Sequence, residues 1–282
     1  MRRILVPTDF SDQARNAFEV AVAIARQTGA AIKLLHVVEM PYSYTSFNVT
    51  GEVESGNGME HLYMMKLLEA TKHRMAELER SVDHEGVEVV QEVDADSVNR
   101  KIRSVINDDK VDLVVMGSKG ASGMNEFLIG SNTEKVVRTA ECPVLTVKGR
   151  IRQFDIKNIV LPSDFKREIG TAVEKFKYFQ QMFDAKLHMV YINTPGAFES
   201  SSNLRTRMQK AAERYGLQNY TINVYNDTIE EDGILHFAED IGADLVMMAT
   251  HGRTGLAHLL SGSIAEDLVN HSNIPVLTFQ LK

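Results

Sequence analysis

Residues 112–137 read DLVVMGSKGASGMNEFLIGSNTEKVV, an apolar run of strand length followed by a loop of small residues and by a helical pattern. The loop carries Gly117, Gly120 and Gly130, and Ser131 opens the helical pattern. A loop without side chains at fixed points lets a phosphate come close to the backbone. The helix that follows offers unpaired N–H groups and the positive end of its dipole. This segment therefore predicts a strand, a loop and a helix that together bind an anion.

An internal repeat extends this pattern to the whole chain. Residues 244–269, DLVMMATHGRTGLAHLLSGSIAEDLV, repeat the spacing of the small residues. The opening ILVPTDF of residues 4–10 returns as IVLPSDF at residues 159–165, and the PVLT of residues 143–146 returns at residues 275–278. Because whole supersecondary units recur, the chain is predicted to be a tandem duplication.

A short charged stretch at residues 148–155 separates the two copies. It predicts domains at residues 1–150 (copy one) and 151–282 (copy two). In each copy, apolar runs of strand length alternate with amphipathic segments, the pattern of β-α-β units and a parallel sheet. We therefore predict an α/β protein with two tandem Rossmann-like, doubly wound domains, each with five parallel strands and four helices.

The predicted elements have the following bounds. In copy one the strands are 2–7, 31–38, 87–93, 111–117 and 143–148, and the helices are 11–28, 59–85, 97–108 and 131–140. In copy two the strands are 157–162, 185–192, 219–225, 243–249 and 275–280, and the helices are 166–183, 202–216, 229–241 and 262–271. The last strand of each copy is a sheet edge, and pairing these two edges predicts an internal pseudo-dimer. Further self-association into a homodimer stays open.

Composition narrows the classes of partner. The chain has 282 residues and a net charge of −7, whereas binding to nucleic acid or to an anionic membrane needs a basic face. Its single cysteine, Cys142, forms no internal disulfide and is typical of a buried filler. The N-terminus enters a strand without the apolar run of a signal peptide, and no stretch approaches membrane-spanning length. We expect a cytoplasmic protein with neither a nucleic-acid nor a membrane partner.

The doubly wound arrangement predicts where a ligand binds. In such sheets the ligand lies beyond the carboxyl ends of the strands, where the winding reverses between two neighbours. Asp9 follows the first strand and Gly117 ends the fourth, so these residues face each other if the two strands are neighbours. Asp9 can then accept a hydrogen bond from an adenine amino group or a ribose hydroxyl. The backbone at Val37, which ends the second strand, is placed to contact a base edge.

At this point the residues resemble the universal stress proteins in a tandem two-domain form. Nucleotide-binding members carry a G-x2-G-x9-G-[ST] pattern, which Gly117, Gly120, Gly130 and Ser131 match without a gap. The resemblance covers nearly the whole chain, including the P-T-D-x-S opening, a His-Val pair in the second strand and the P-V-L ending. It implies an adenine nucleotide alpha hydrolase-like fold that binds ATP, or AMP or ADP, usually as a dimer, in stress adaptation. Mg²⁺ would accompany the phosphates.

The resemblance also implies a set of contact residues. In copy one they are Pro7, Thr8, Asp9, Val37, Met116, Gly117, Gly120, Gly130, Ser131, Asn132 and Thr133. In copy two they are Asp164, Tyr191, Ala249, Gly252, Arg253, Gly262 and Ser263. Ala249 adds a Cβ where copy one has Gly117, and Tyr191 is aligned with Val37, so both changes narrow the second site. We rank copy one above copy two as the nucleotide site.

Structural roles compete with these assignments. Asp9 and Asp164 can be helix caps, and Ser131 and Ser263 can be plain N-caps. No G-x-x-x-x-G-K-[ST] motif occurs, so the loop is not a Walker loop, and we assign no catalytic and no metal-binding residue. Three functions therefore stay open: a nucleotide-binding sensor or adaptor, a slow ATPase, and a nucleotide-free interaction or structural module.

Overall fold

The computed structural model describes residues 1–39, 58–118, 130–151, 153–166, 172–251 and 261–281. The strands and helices of copy one are β1 (Arg3–Pro7), α1 (Asp12–Thr28), β2 (Ala31–Val38), α2 (Gly58–Arg80), β3 (Val89–Ala95), α3 (Val98–Asp108), β4 (Leu113–Gly117), α4 (Ser131–Thr139) and β5 (Val144–Val147). Those of copy two are β6 (Asn158–Pro162), α5 (Ala172–Phe183), β7 (Lys186–Asn193), α6 (Ser201–Tyr215), β8 (Tyr220–Asn226), α7 (Glu230–Asp240), β9 (Leu245–His251), α8 (Ser261–His271) and β10 (Val276–Leu281). The predicted α/β order is confirmed in both copies.

All ten strands form one sheet, in the order β3-β2-β1-β4-β5-β10-β9-β6-β7-β8. Neighbours within each copy are parallel, whereas β5 and β10 pair antiparallel. Two threonines strengthen this junction reciprocally, because Thr146 donates to the Val276 carbonyl at 3.1 Å and Thr278 donates to the Val144 carbonyl at 3.3 Å. The predicted internal pseudo-dimer through the last strands is confirmed.

The winding reverses where the sequence predicts it. Strand β1 lies between β2 and β4, with Ile4 opposite Leu113, and β6 lies likewise between β7 and β9. We call the space beyond the carboxyl ends of β1 and β4 the first crevice, and the equivalent space beyond β6 and β9 the second crevice. Because β5 and β10 are antiparallel, the strands of the two copies run in opposite directions, and the two crevices lie at opposite strand ends of the sheet. A single ligand therefore cannot span both.

The core differs between the two faces of the sheet. One face is covered by α1, α2, α5 and α6 and forms a single apolar core shared by both copies, with Phe18, Met75, Phe176, Met208 and Phe279 fully buried. On the other face, α3 and α4 cover copy one and α7 and α8 cover copy two, each over its own core. The shared core packs the two copies against each other along one side of the sheet.

Local hydrogen bonds fix the ends of the helices. Ser11 is the N-cap of α1 and accepts from the Ala14 N–H, and Gly29 ends this helix with φ at 69°. Helix α2 ends at Arg80, five residues before the predicted end, because the Ser81 hydroxyl donates to a carbonyl of the last turn at 2.7 Å. Among the described residues, no helix is long and apolar enough to cross a membrane.

Candidate functional site

The predicted site segments of copy one meet at the carboxyl ends of β1 and β4. Asp9 follows β1, and Gly117 ends the neighbouring β4. The Gly130 N–H donates to the carbonyl of Ser118 at 2.9 Å, which brings the start of α4 back to the end of β4. Asp9 and Gly130 therefore flank the same crevice.

A tight turn follows β1. Phe10 adopts a positive φ of 66°, and its N–H donates to the Thr8 hydroxyl at 3.0 Å. One carboxylate oxygen of Asp9 accepts from the Ser11 N–H at 3.0 Å and from the Ser11 hydroxyl at 2.6 Å. Asp9 thus orients the residue that caps α1, while Ser11 itself is the cap. The capping alternative considered for Asp9 is correct only in this indirect sense.

The turn after β6 repeats this geometry. Phe165 has φ at 54°, and its N–H donates to the Ser163 hydroxyl at 3.1 Å. Asp164 accepts from the Lys166 N–H at 2.9 Å. Both copies therefore retain the turn that ends their first strand.

The backbone of Val37 lies next to the end of β1. The Thr8 N–H donates to the Leu35 carbonyl at 2.8 Å, so the main-chain groups of Leu35 point toward β1. Main-chain groups of strand residues alternate in direction, and those of Val37 therefore point the same way, past the end of β1. A continued parallel ladder would join Val37 to Thr8 and Phe10, but Phe10 donates to the Thr8 hydroxyl instead. In the described part of the chain, no backbone hydrogen bond links Val37 to this turn.

The start of α4 forms the other side of the first crevice. Gly130 is its N-cap, with φ at −62° and ψ at 133°, and no side chain of the described residues caps it. Ser131 is the first helical residue, so its alternative assignment as the N-cap is wrong. The N–H groups of Ser131, Asn132 and Thr133 have no acceptor within the helix, because they belong to its first turn.

Two side chains hold this helix start in place. The Thr133 hydroxyl donates to the Gly117 carbonyl at 2.9 Å and is buried. The Asn99 amide of α3 donates to the Asn132 side-chain oxygen at 3.0 Å. Sequence reasoning missed Asn99, although a polar residue in the first turn of the neighbouring helix was visible in the sequence.

Gly117 has a packing role that its position in the motif does not show. A Cβ on this residue would lie 3.0 Å from the Gln13 Cβ and 3.3 Å from the Ala14 nitrogen. The first turn of α1 therefore packs so closely against the end of β4 that a side chain at this position would push its neighbours apart. Of the other predicted contacts, Pro7 pairs with Leu35 at the end of β1, and Met116 is buried in the core beside α3 and α4.

Some predicted contacts fall where the structure gives no description. Gly120, Gly252 and Arg253 lie outside the described residues. Gly262 and Ser263 lie in α8, which begins at Ser261, so the assignment of Ser263 as the N-cap is wrong.

The strand register corrects one correspondence between the copies. Pro7 pairs with Leu35 and Pro162 pairs with Val190, so Tyr191 occupies the position of His36 rather than that of Val37. The earlier alignment was one residue out of register because copy two lacks the His-Val pair that marks this strand in copy one.

The second crevice differs from the first in its side chains. Tyr191 is 5% exposed, its hydroxyl donates to the Ala197 carbonyl at 3.2 Å, and the guanidinium of Arg207 lies 5.4 Å from its ring centroid. Ile264 and Ala265 of α8 take the places of Asn132 and Thr133. Copy two therefore lacks both side chains that hold the start of α4 in copy one.

Within the described ranges, no group of three or more histidine, cysteine, aspartate and glutamate side chains could hold a metal ion. Cys142 is buried, and burial raises the pKa of its thiol to about 12. This thiol is therefore protonated and unreactive at neutral pH.

Comparison with known proteins identifies the family. The family model described as the universal stress protein family matches residues 1–148 and 155–280. A universal stress protein of Synechocystis sp. is 27% identical over 99% of this chain and 100% of its own length. The crystal structure of a universal stress protein from Archaeoglobus fulgidus shares the fold, with a TM-score of 0.73 and 21% identity, and covers 99% of this chain and 98% of that one. The chain belongs to the universal stress protein family, as a tandem two-domain member.

Proposed function

We propose that copy one binds ATP, or the related nucleotides ADP or AMP, in the first crevice, and that the protein acts as a nucleotide-dependent sensor or adaptor in stress responses. One observation carries this proposal. Two sets of main-chain groups lie at the carboxyl ends of the strands of copy one: those of Val37, and the N–H groups of the first turn of α4. The groups of Val37 have no partner in the strand ladder, and those N–H groups have no acceptor within their helix.

The base end of the proposed site is formed by Val37. It presents one N–H donor and one carbonyl acceptor side by side, past the end of β1. The edge of adenine offers the complementary pair, a ring nitrogen that accepts and an amino group that donates. Asp9, in the adjoining turn, supplies a carboxylate for a ribose hydroxyl or the amino group.

The phosphate end is formed by the first turn of α4. Its N–H groups and the positive end of the helix dipole favour an anion, and the glycine N-cap keeps this end free of a side chain. Thr133 and Asn132 direct their side chains to protein partners, so they would bind phosphate through the main chain. Mg²⁺ would be held by phosphate oxygens and water, since the described residues provide no carboxylate cluster for it.

The second crevice supports this function less well. The ring of Tyr191 is buried beside the equivalent strand end, and the apolar residues Ile264 and Ala265 of α8 stand where copy one has Asn132 and Thr133. We therefore propose one nucleotide per chain, bound in copy one.

Calorimetric titration of the full chain with ATP in the presence of Mg²⁺ tests the proposal. We expect saturable binding with one site per chain. No binding of ATP, ADP or AMP would contradict it and favour a nucleotide-free module. Phosphate release that accompanies binding and disappears with a substitution at Gly130 would instead identify a slow ATPase.

A further inference from the structure

His36 makes a contact that affects the groups of Val37. Its ring nitrogen Nδ1 lies 2.7 Å from the Thr8 carbonyl oxygen. A carbonyl can only accept, so Nδ1 carries the proton and donates. Burial lowers the pKa of His36, although the hydrogen bond to Thr8 opposes this effect, and the ring is neutral at pH 7.

The Thr8 carbonyl is the acceptor that a continued ladder would give to the Val37 N–H. Strand register leads to this assignment, because Pro7 pairs with Leu35 and the Thr8 N–H donates to the Leu35 carbonyl. The next pair of ladder bonds would run from the Val37 N–H to the Thr8 carbonyl and from the Phe10 N–H to the Val37 carbonyl. His36 takes the first acceptor and the Thr8 hydroxyl takes the second donor. Both main-chain groups of Val37 lie outside the ladder, as do those of its counterpart Ile192, for which the described residues show no backbone hydrogen bond to the turn after β6.

The ring of His36 is held by a stack of side chains. The centroid of the His36 ring lies 4.5 Å from that of the Phe10 ring. The guanidinium of Arg74, a residue of α2, lies 4.1 Å from the Phe10 centroid. The positive φ of Phe10 directs its ring toward β2 as part of the same turn. The imidazole is therefore positioned from its neighbours as well as through its hydrogen bond.

Copy two provides an internal comparison. Tyr191 occupies the position of His36, and its hydroxyl donates to the Ala197 carbonyl rather than to Ser163. The Phe165 N–H still donates to the Ser163 hydroxyl, so the turn itself is unchanged. The hydrogen bond from the His36 side chain to the Thr8 carbonyl is thus found in copy one, and Tyr191 does not make the corresponding bond in copy two.

We infer that His36 is a positioning residue for the base end of the first crevice: by donating to the Thr8 carbonyl, it holds the turn after β1 in place beside the Val37 N–H, which a nucleobase can then contact. This inference rests on the proposed function, because it assigns a residue to the same site. In copy two the ladder ends at the same point without a histidine, so His36 acts by holding the turn rather than by ending the ladder.

Two substitutions separate the hydrogen bond from the ring. His36→Phe retains a ring against Phe10 but removes the donor, and His36→Asn retains a donor close to the position of Nδ1. His84→Phe is the matched control, because His84 also contacts a backbone carbonyl, that of Val82 at 3.0 Å, away from both crevices. Each full-length variant is titrated with Mg²⁺ and ATP, and separately with Mg²⁺ and inorganic tripolyphosphate.

We expect His36→Phe to bind ATP about 3- to 10-fold more weakly than the wild type, the equivalent of one hydrogen bond, with unchanged affinity for tripolyphosphate. His36→Asn should restore most of the ATP affinity, and His84→Phe should match the wild type. Wild-type affinity for ATP in His36→Phe, or an equal loss in His36→Asn, would overturn the inference while leaving the proposed function intact. If His36→Phe does not fold, His36→Asn decides alone. A wild type that binds neither probe would overturn the proposed function and this inference with it.

Discussion

Replacing Gly130 with aspartate separates nucleotide binding from stability. Gly130 has φ at −62° and ψ at 133°, close to the −65° and 137° of Ser200, which caps α6 through its side chain. An aspartate at position 130 can therefore adopt the same conformation and accept from the Thr133 N–H. It should stabilise the unliganded protein by a few tenths of a kcal/mol, because aspartate is a slightly better N-cap than glycine.

The same carboxylate opposes a bound phosphate. At a separation of about 5 Å and an effective dielectric constant of about 20, two unit negative charges repel by about 3 kcal/mol, which weakens binding by about 100-fold. With ATP at 100 times the wild-type Kd, binding stabilises the wild type by about 2.7 kcal/mol. A variant with 100-fold weaker affinity gains only about 0.4 kcal/mol at that concentration.

Thermal unfolding with and without ATP measures both effects in one assay. Gly130→Asp should show an unchanged or slightly higher Tm without ligand and lose most of the increase that ATP gives the wild type. Gly262→Asp, at the corresponding sequence position of copy two, is the control for a charge added outside the first crevice; Gly262 is the second residue of α8 rather than its N-cap, and this variant should retain that increase. A full ATP-dependent increase in Gly130→Asp would refute the assignment of the phosphates to α4.

Three further predictions concern stability and are measured by chemical denaturation. Gly117→Ala should lower the free energy of unfolding by about 1 to 3 kcal/mol, because the new Cβ would meet Gln13 at 3.0 Å; a change below about 0.5 kcal/mol would contradict this. Thr133→Val should cost about 1 to 3 kcal/mol by leaving the buried Gly117 carbonyl without its partner, whereas Thr133→Ser should not. Burial raises the pKa of Glu92, but hydrogen bonds from lysines, Lys101 among them, lower it overall, so this stabilisation is present above the ordinary value of 4.5 and lost at lower pH. Lys101→Met should therefore cost about 1 kcal/mol at pH 7 and progressively less below pH 4.5; a cost independent of pH would argue against it.

The α/β order and the pairing of the last strands could be predicted because the repeat supplied the same pattern twice. Apolar runs that alternate with amphipathic segments indicated parallel strands joined by helices, and the place of β5 and β10 at the end of each copy indicated an edge pairing. These features depend on residue type along whole elements. They are therefore visible without coordinates.

Features that depend on single hydrogen bonds were not predictable. Helix α2 ends where the Ser81 hydroxyl bonds to the last turn, although the helical pattern continues to residue 85. Likewise, the register error at Tyr191 arose because copy two lacks the His-Val pair that marks this strand in copy one, whereas the pairing of Pro162 with Val190 sets the true position. Strand register is a tertiary property, and in a strand that is buried on both faces and apolar almost throughout, a shift of one residue leaves the sequence pattern almost unchanged.

The position of the candidate site could be predicted from the sequence, whereas the side-chain contacts that form it could not. Main-chain groups at Val37 and at the start of α4 were expected from the position of the glycines and of the strand ends. The role of His36 was missed because its hydrogen bond to the Thr8 carbonyl joins residues that are distant in sequence and follows from strand register. The packing reason for Gly117 was hidden for a similar cause, since the contact with Gln13 is distant in sequence.

A crystal structure of the full chain grown with ATP and Mg²⁺ tests the central claim most directly. The account predicts a purine within hydrogen-bonding distance of both main-chain groups of Val37, and phosphates within hydrogen-bonding distance of the N–H groups of residues 131–133. Nucleotide bound only in the second crevice, or with its phosphates away from the first turn of α4, would contradict it.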